Sequence, residues 1–139
     1  MCSSYREFDH TGDLGIEVEA ESLGALFEEA ALGMFALLTD PSSVKGVRSA
    51  EISVTAPDRV ELLQKWLAEL NYLHLTDRVL VGRVRVTHIS DHRLHAVVYV
   101  EPIDKRRHAI QTEIKAVTYH ELVVERRNDC WHARIIFDI

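Results

Sequence analysis

Apolar residues recur along the chain with two different periods. Ile16, Val18 and Ala20 alternate with Glu17 and Glu19, the period of a strand with one buried face. A short strand over Tyr5–Phe8 is predicted before it, and the polar run Asp9-His10-Thr11-Gly12-Asp13 connects the two. Leu23, Leu26, Phe27, Ala30, Met34, Leu37 and Leu38 then form a helical stripe behind Ser22, whose hydroxyl suits an N-cap. Thr39-Asp40-Pro41-Ser42-Ser43 stops that helix, because proline cannot continue the ladder. Ile52, Val54 and Ala56 predict a strand over 50–56. Pro57 and Asp58 open a second helix with the stripe Leu63, Trp66, Leu67, Leu70 and Leu73, ending near Thr76-Asp77.

From there the pattern is β. Val79–Val81, Arg83–Ile89 and Leu94–Val100 read as strands, with Ser90-Asp91-His92-Arg93 as a hairpin turn. One or two strands are predicted within Glu113–Arg127, including Tyr119–Glu125, then a turn over 126–129 and a final strand His132–Ile139. The expected fold class is α+β, a single domain over residues 1–139 with a largely antiparallel sheet and two amphipathic helices.

Composition narrows the function classes. With 139 residues, 47% apolar and 27% charged, the chain is ordinary globular protein and not a disordered one. The net charge of −6 argues against a binder that works by bulk phosphate neutralisation, so no strong direct binding of nucleic acid is expected. The charge is uneven: residues 1–40 hold one basic and nine acidic side chains, leaving 15 basic and 13 acidic in the remainder. An acidic end suits a cation or a basic partner. Two cysteines, Cys2 at an end expected to fray and Cys130, exclude a disulfide framework and fit a reducing compartment. No h-region of a signal peptide is visible and no apolar run approaches the ~20 residues that span a bilayer. A cytoplasmic location away from the membrane is expected.

Four places carry candidate chemistry. Asp9, His10 and Asp13 put two carboxylates and an imidazole within five residues, a set that suits a hard cation; plain turn chemistry explains the same residues. Asp138 and the carboxylate of Ile139 bring two negative charges together at the other end, repelling unless a cation neutralises them or water solvates them. Asp104-Lys105-Arg106-Arg107-His108 is a basic loop, either a phosphate contact or simply solvated. His88, His92 and His95 have zinc-like spacing across a hairpin turn, with His92 at the tip. Cys130 beside His132 lacks an orienting group for a nucleophilic thiol, and there is no G-x-S-x-G, P-loop or G-x-G-x-x-G.

Phe8-Asp9-His10-Thr11-Gly12-Asp13-Leu14-Gly15-Ile16 resembles the archease signature D-H-T-A-D-[IL]-G. The resemblance continues through Leu26–Ala31, Met34-Phe35, Leu62-Leu63, Trp66-Leu67, Glu101-Pro102, His108, the run Thr112–His120 and the final Phe137-Asp138-Ile139. Two departures stand out. Gly12 replaces a common alanine, a change expected to cost some backbone order, and Val100 stands where a glycine usually precedes Glu101.

The resemblance implies the archease fold and a non-catalytic accessory factor. Archeases assist the GTP-dependent ligase that joins 3′-phosphate or 2′,3′-cyclic phosphate RNA ends to 5′-hydroxyl ends. They promote guanylylation of the ligase histidine and multiple turnover, and can broaden nucleotide use, in tRNA splicing or RNA repair. The resemblance also implies a divalent metal, commonly calcium with magnesium or manganese as alternatives, held by Asp13, Asp138 and Ile139. Lys115, Asp9 and His10 would act beside it, with Glu101 and His108 as secondary residues. Two other readings compete: a metal-dependent phosphoesterase using Asp9, His10, Asp13 and Asp138, and an adaptor or chaperone-like module with a merely structural acidic turn.

Overall fold

The computed structural model describes residues 2–10 and 12–139, with only the backbone of His10; Thr11 lies outside the described residues. The elements run β1 (Ser3–His10), β2 (Asp13–Ala20), α1 (Leu23–Leu38), β3 (Arg48–Thr55), α2 (Arg59–Asp77), β4 (Val79–Ile89), β5 (Arg93–Pro102), β6 (Ala116–Val117), β7 (Val123–Arg127) and β8 (Cys130–Asp138). The fold is α+β with every described strand pair antiparallel.

Two sheets result. The five-stranded sheet follows the order β1-β2-β8, with β6 and β7 both on the far edge of β8. The three-stranded sheet has the order β3-β5-β4. Helix α1 packs against β1, β2 and β4 and so joins the two sheets. That position explains its composition: Leu26, Phe27, Ala30, Ala31, Met34, Phe35, Leu37 and Leu38 are all buried, a wider stripe than a surface helix carries. Glu28 also accepts the backbone N–H of Val86 at 2.8 Å, capping a donor on the free edge of β4.

The helices begin where the sequence marks them. Ser22 Oγ accepts from Ala25 N–H at 3.1 Å, and Asp58 Oδ1 accepts from Glu61 N–H at 2.9 Å. Helix α2 buries Trp66 completely, and its indole N–H donates to the Phe27 carbonyl of α1 at 3.0 Å. The polar tip of the largest core side chain is thereby satisfied.

Three expectations need correction. Tyr119–Glu125 is not one strand: β7 starts at Val123, and the chain turns through Glu121, whose φ is +53°. The expected turn over 126–129 is shorter, because Arg126 and Arg127 remain in β7 while Asn128 (φ +49°) and Asp129 (φ +68°) make the reversal. The cysteines form a disulfide, with Cα atoms 6.1 Å apart. Cys2 does not fray because β1 pairs with β2 along its whole length. Ser3 pairs with Ala20, and Ala20 with Trp131, so Cys2 and Cys130 flank the point where β2 ends and can meet past it.

Replacing Trp66 with alanine should cost about 3–5 kcal/mol, from the cavity and the lost bond to the Phe27 carbonyl. The urea unfolding midpoint of the variant measures it.

Candidate functional site

The two acidic ends of the sequence meet at one end of the five-stranded sheet. In the β1–β2 hairpin Asp9 pairs with Leu14 and His10 with Asp13. In the next ladder Leu14 pairs with Phe137, so Asp13 stands one step beyond it, level with Asp138. Side chains alternate along a strand, and Leu14 and Phe137 point into the core. Asp13 and Asp138 therefore share the opposite, outer face. Asp13 is half-buried, Asp138 is exposed, and Ile139 packs partly against the core.

Lys115 arrives from the other side. Its backbone N–H donates to the Asp138 carbonyl at 2.7 Å, and the following residue, Ala116, pairs with Asp138 in the β6–β8 ladder. Its side chain is exposed. This segment has little regular structure, so side-chain amides of α2 hold it. Asn71 Nδ2 donates to the Ile114 carbonyl at 2.8 Å, and Gln64 Nε2 donates to the Val117 carbonyl at 2.9 Å. Thr118 clamps the far side, its N–H and hydroxyl both donating to the Ile136 carbonyl, at 3.1 and 2.8 Å. Gln64 and Asn71 were invisible as site residues in the sequence. A polar residue beside the Leu67/Leu70 stripe was the signal: Asn71 is buried, and a buried amide needs a partner.

The donors at this end are oxygens: two side-chain carboxylates and the main-chain oxygens near Ile139. That set matches a hard divalent cation in kind, and leaves coordination positions for water or a partner's groups. Among the described residues no three His, Cys, Asp or Glu side chains cluster to hold a metal. The carboxylate of Asp9 is one strand further out, and the His10 imidazole lies outside the described residues.

The glycines of the hairpin have different causes. Gly12 has φ +87°, a conformation that costs a side chain but not glycine, so it suits this turn rather than loosening it. Gly15 faces Phe8 across the ladder, and a Cβ there would lie 2.3 Å from the Phe8 ring. Phe8 also carries the Arg134 guanidinium, 4.2 Å above its ring, and Arg134 bonds Glu17 at 2.8 Å. Burial raises the Glu17 carboxyl, but Arg6 and Arg134 outweigh it and hold it below its ordinary value.

Glu101 and His108 are not part of this end. They sit with β5 of the three-stranded sheet in a buried polar cluster. Asp104 N–H donates to His108 Nδ1 at 2.9 Å, which leaves the ring proton on Nε2, 2.9 Å from Glu101 Oε1 and 3.1 Å from the Ser43 carbonyl. Glu101 also accepts from Lys45 N–H at 2.9 Å and from the Arg107 guanidinium. Burial raises the Glu101 carboxyl, but Lys45 N–H, Arg107 and His108 together hold it below its ordinary 4.5. The cluster consumes half of the basic loop: Arg107 is ion-paired to Glu101 and Asp104, so the 104–108 loop is not an open phosphate cradle. Val100 is an ordinary buried strand residue paired with Val81, and the loop to His108 forms without a glycine there.

The zinc-like histidines separate: His88 and His95 pair across β4 and β5, while His92 lies at the hairpin tip. Cys130 is disulfide-bonded and offers no thiol.

The model of the Archease protein family (MTH1598/TM1083) matches residues 5–139. The chain belongs to the archease family. The archease of Methanosarcina acetivorans is 36% identical to it, covering 97% of this chain and 95% of that protein. The archease of Methanopyrus kandleri is also 36% identical, covering 97% and 99%. The solution structure of Methanobacterium thermoautotrophicum protein 1598 superposes with a TM-score of 0.81 at 32% identity, covering 98% and 99% of the two chains. The crystal structure of a Thermotoga maritima archease, described as a possible chaperone, has the same fold, with a TM-score of 0.65 at 20% identity and 96% of each chain covered. Of the signature, Asp9 and His10 thus end β1 and Asp13–Gly15 begin β2, strand residues and not the polar connection expected between two strands, and Gly15 makes room for Phe8.

Gly15→Ala should push Phe8 off the sheet and destabilise the chain by about 1–3 kcal/mol, read from urea unfolding. The Glu101 cluster makes a pH prediction. A carboxyl depressed in the native state contributes stability above its unfolded pKa and loses it as pH falls through the native value. The melting temperature should therefore drop as pH falls below the ordinary 4.5 of Glu101, and Glu101→Gln should lower it at neutral pH while flattening that acid-side slope.

Proposed function

We propose that this archease is a non-catalytic activator of the GTP-dependent ligase that seals 3′-phosphate RNA ends, and that it acts through the acidic end of its five-stranded sheet. One observation supports this above the others: β8 aligns Asp138 with Asp13 on one edge and with the Lys115 segment on the other. Residues at positions 13, 115 and 138, far apart in the chain, serve no evident packing purpose together. Two carboxylates on one face repel, and their juxtaposition costs stability unless a cation or a basic surface compensates.

In this reading Asp13 and Asp138, with main-chain oxygen at Ile139, hold a divalent cation, Ca²⁺ in the first instance with Mg²⁺ and Mn²⁺ as alternatives. The bound cation supplies positive charge that offsets phosphate charge. The carboxylates orient it, and the Thr118 clamp fixes the backbone of the neighbouring segment that carries Lys115. Docked on a basic ligase surface, this end assists guanylylation of the ligase histidine and release for further turnovers, in tRNA splicing or RNA repair in the cytoplasm. Exposed Tyr72, Leu75 and Tyr119 near Lys115 supply apolar contact for such a partner.

The test is RNA joining with the cognate ligase in limiting amount. Ligase alone should stop near one product per enzyme, and the added archease should sustain turnover. Asp13→Ala, Asp138→Ala and Lys115→Ala should each return joining to the unassisted level without unfolding the domain. Normal stimulation by both aspartate variants would overturn the reading. Phosphodiester hydrolysis by the isolated protein, lost in chelator, would replace it with the phosphoesterase.

A further inference from the structure

The three-stranded sheet turns its inner face to the helices and leaves its outer face to solvent, and the charge there is opposite to that of the protein as a whole. Alternation puts Ser49, Glu51, Ser53 and Thr55 of β3 on this outer face, with Arg93, His95, Val97 and Tyr99 of β5 and Arg83 and Arg85 of β4. Arg83, Arg85 and Arg93 are exposed, and among the described residues no carboxylate pairs with any of them. The one acid on the face, Glu51, lies 3.7 Å from His95. An opposite charge directly across a strand pair stabilises both partners, so three arginines without one leave a positive field on this face.

An aromatic platform stands among these charges. The Arg83 guanidinium lies 4.0 Å from the centre of the Tyr99 ring, a flat cation–π pair. Further along the face, past Val97, Ser53, Thr55, His88, Arg93 and His95 line a depression of about 520 Å³. Thr87 Oγ, bonded to His95 Nδ1 at 2.9 Å, orients one of its imidazoles. At the Glu101 end the segment carrying Lys45 and Gly46 crosses over, as Gly46 packs on Tyr99 and Lys45 bonds Glu101. From Tyr99 to Arg93 the face is open.

We propose that this face binds an extended single strand of nucleic acid. Residues two apart on a strand repeat every ~6.7 Å, which sets Arg83 and Arg85 on the scale of successive phosphates in an extended strand. Arg93 lies at the far end of the same face. The Tyr99–Arg83 stack and the two imidazoles offer flat surfaces on which unpaired bases stack, the sequence-tolerant contact of single-strand binders. An acidic protein segment would meet the arginines equally well, but it has no use for stacked flat groups. The net charge of −6 does not oppose this site, because nine of the 22 acidic residues lie in residues 1–40, which build β1, β2 and α1 and stop short of the three-stranded sheet. The inference does not depend on the acidic end or its cation. It revises the expectation, drawn from net charge, that no strong direct nucleic-acid contact is made.

Fluorescence anisotropy with a labelled single-stranded oligoribonucleotide of about a dozen uridines tests it. Binding should weaken linearly in log–log salt plots, and Arg85→Glu with Arg93→Glu should lower affinity by about tenfold or more and reduce the slope by about one per lost phosphate contact. Both side chains are exposed, so the melting temperature should stay unchanged; Tyr99→Leu, which keeps apolar bulk and removes the stack, should weaken binding without altering the slope. Absence of binding at low salt, equal affinity of the double arginine variant, or displacement by polyglutamate as effective as by unlabelled RNA would each overturn the proposal. Asp13→Ala should bind the oligonucleotide as the wild type does, which separates this face from the acidic end.

Discussion

Strand β8 is hydrogen-bonded along both edges, and most of what is distinctive in this protein depends on that. One edge carries β2, and through it β1; the other carries β7 near its beginning and β6 near its end. A strand bonded on both sides cannot slip by one residue without reversing the facing of Ala133, Ile135 and Phe137, all fully buried. The hydrophobic alternation of β8 therefore sets which residues stand beside Asp138. Asp13 is there because Leu14 and Phe137 must both face inward, and Lys115 is there because Val117 and Phe137 must. Core packing places the charged groups.

The second constraint acts on the irregular chain between β5 and β6. It is tethered at its start by the Glu101–Arg107–His108 cluster and by Ile103 N–H on the Arg78 carbonyl at 2.9 Å. In its middle, Gln111 N–H reaches the Leu38 carbonyl at 2.8 Å and Thr39 Oγ1 donates to Ala109 O at 2.8 Å. At its end Asn71 and the buried Ile114 hold it. A buried ion pair adds little net stability, but removing one partner is costly, so such a cluster favours one path for the loop. Glu101 and His108 thus bear on the acidic end indirectly, through the path of the loop that ends at Lys115.

Much of this was legible in the sequence. Both helix starts follow from Ser22 and Asp58, and β2 follows from its alternation, while β1 runs from Ser3 to His10, beyond the expected Tyr5–Phe8 at both ends. Asp13 and Asp138 stood out as local carboxylates and Lys115 came from resemblance alone; their juxtaposition needed the β2–β8 and β6–β8 registers, which no local period contains. Tyr119–Glu125 misread because Glu121 adopts a positive φ that its residue type does not announce. The Cys2–Cys130 bond was hidden for a similar reason: the two cysteines are 128 residues apart in sequence, and they meet only because β2, between β1 and β8, ends at Ala20. Net charge says nothing of where charge lies, since it averages an acidic hairpin and helix with an arginine-bearing sheet face.

In the proposed function β8 holds Asp13, the Lys115 segment and Asp138–Ile139 together as one oxygen-rich site for a hard cation. Paramagnetic broadening of backbone amide resonances by substoichiometric Mn²⁺ tests this in solution. Signals from Asp13 and Leu14, from Lys115 and Ala116, and from Phe137 to Ile139 should broaden together, before any others and not in Asp138→Ala. Broadening centred on Asp104–His108 or on His88 and His95, or none confined to these three segments, would contradict it.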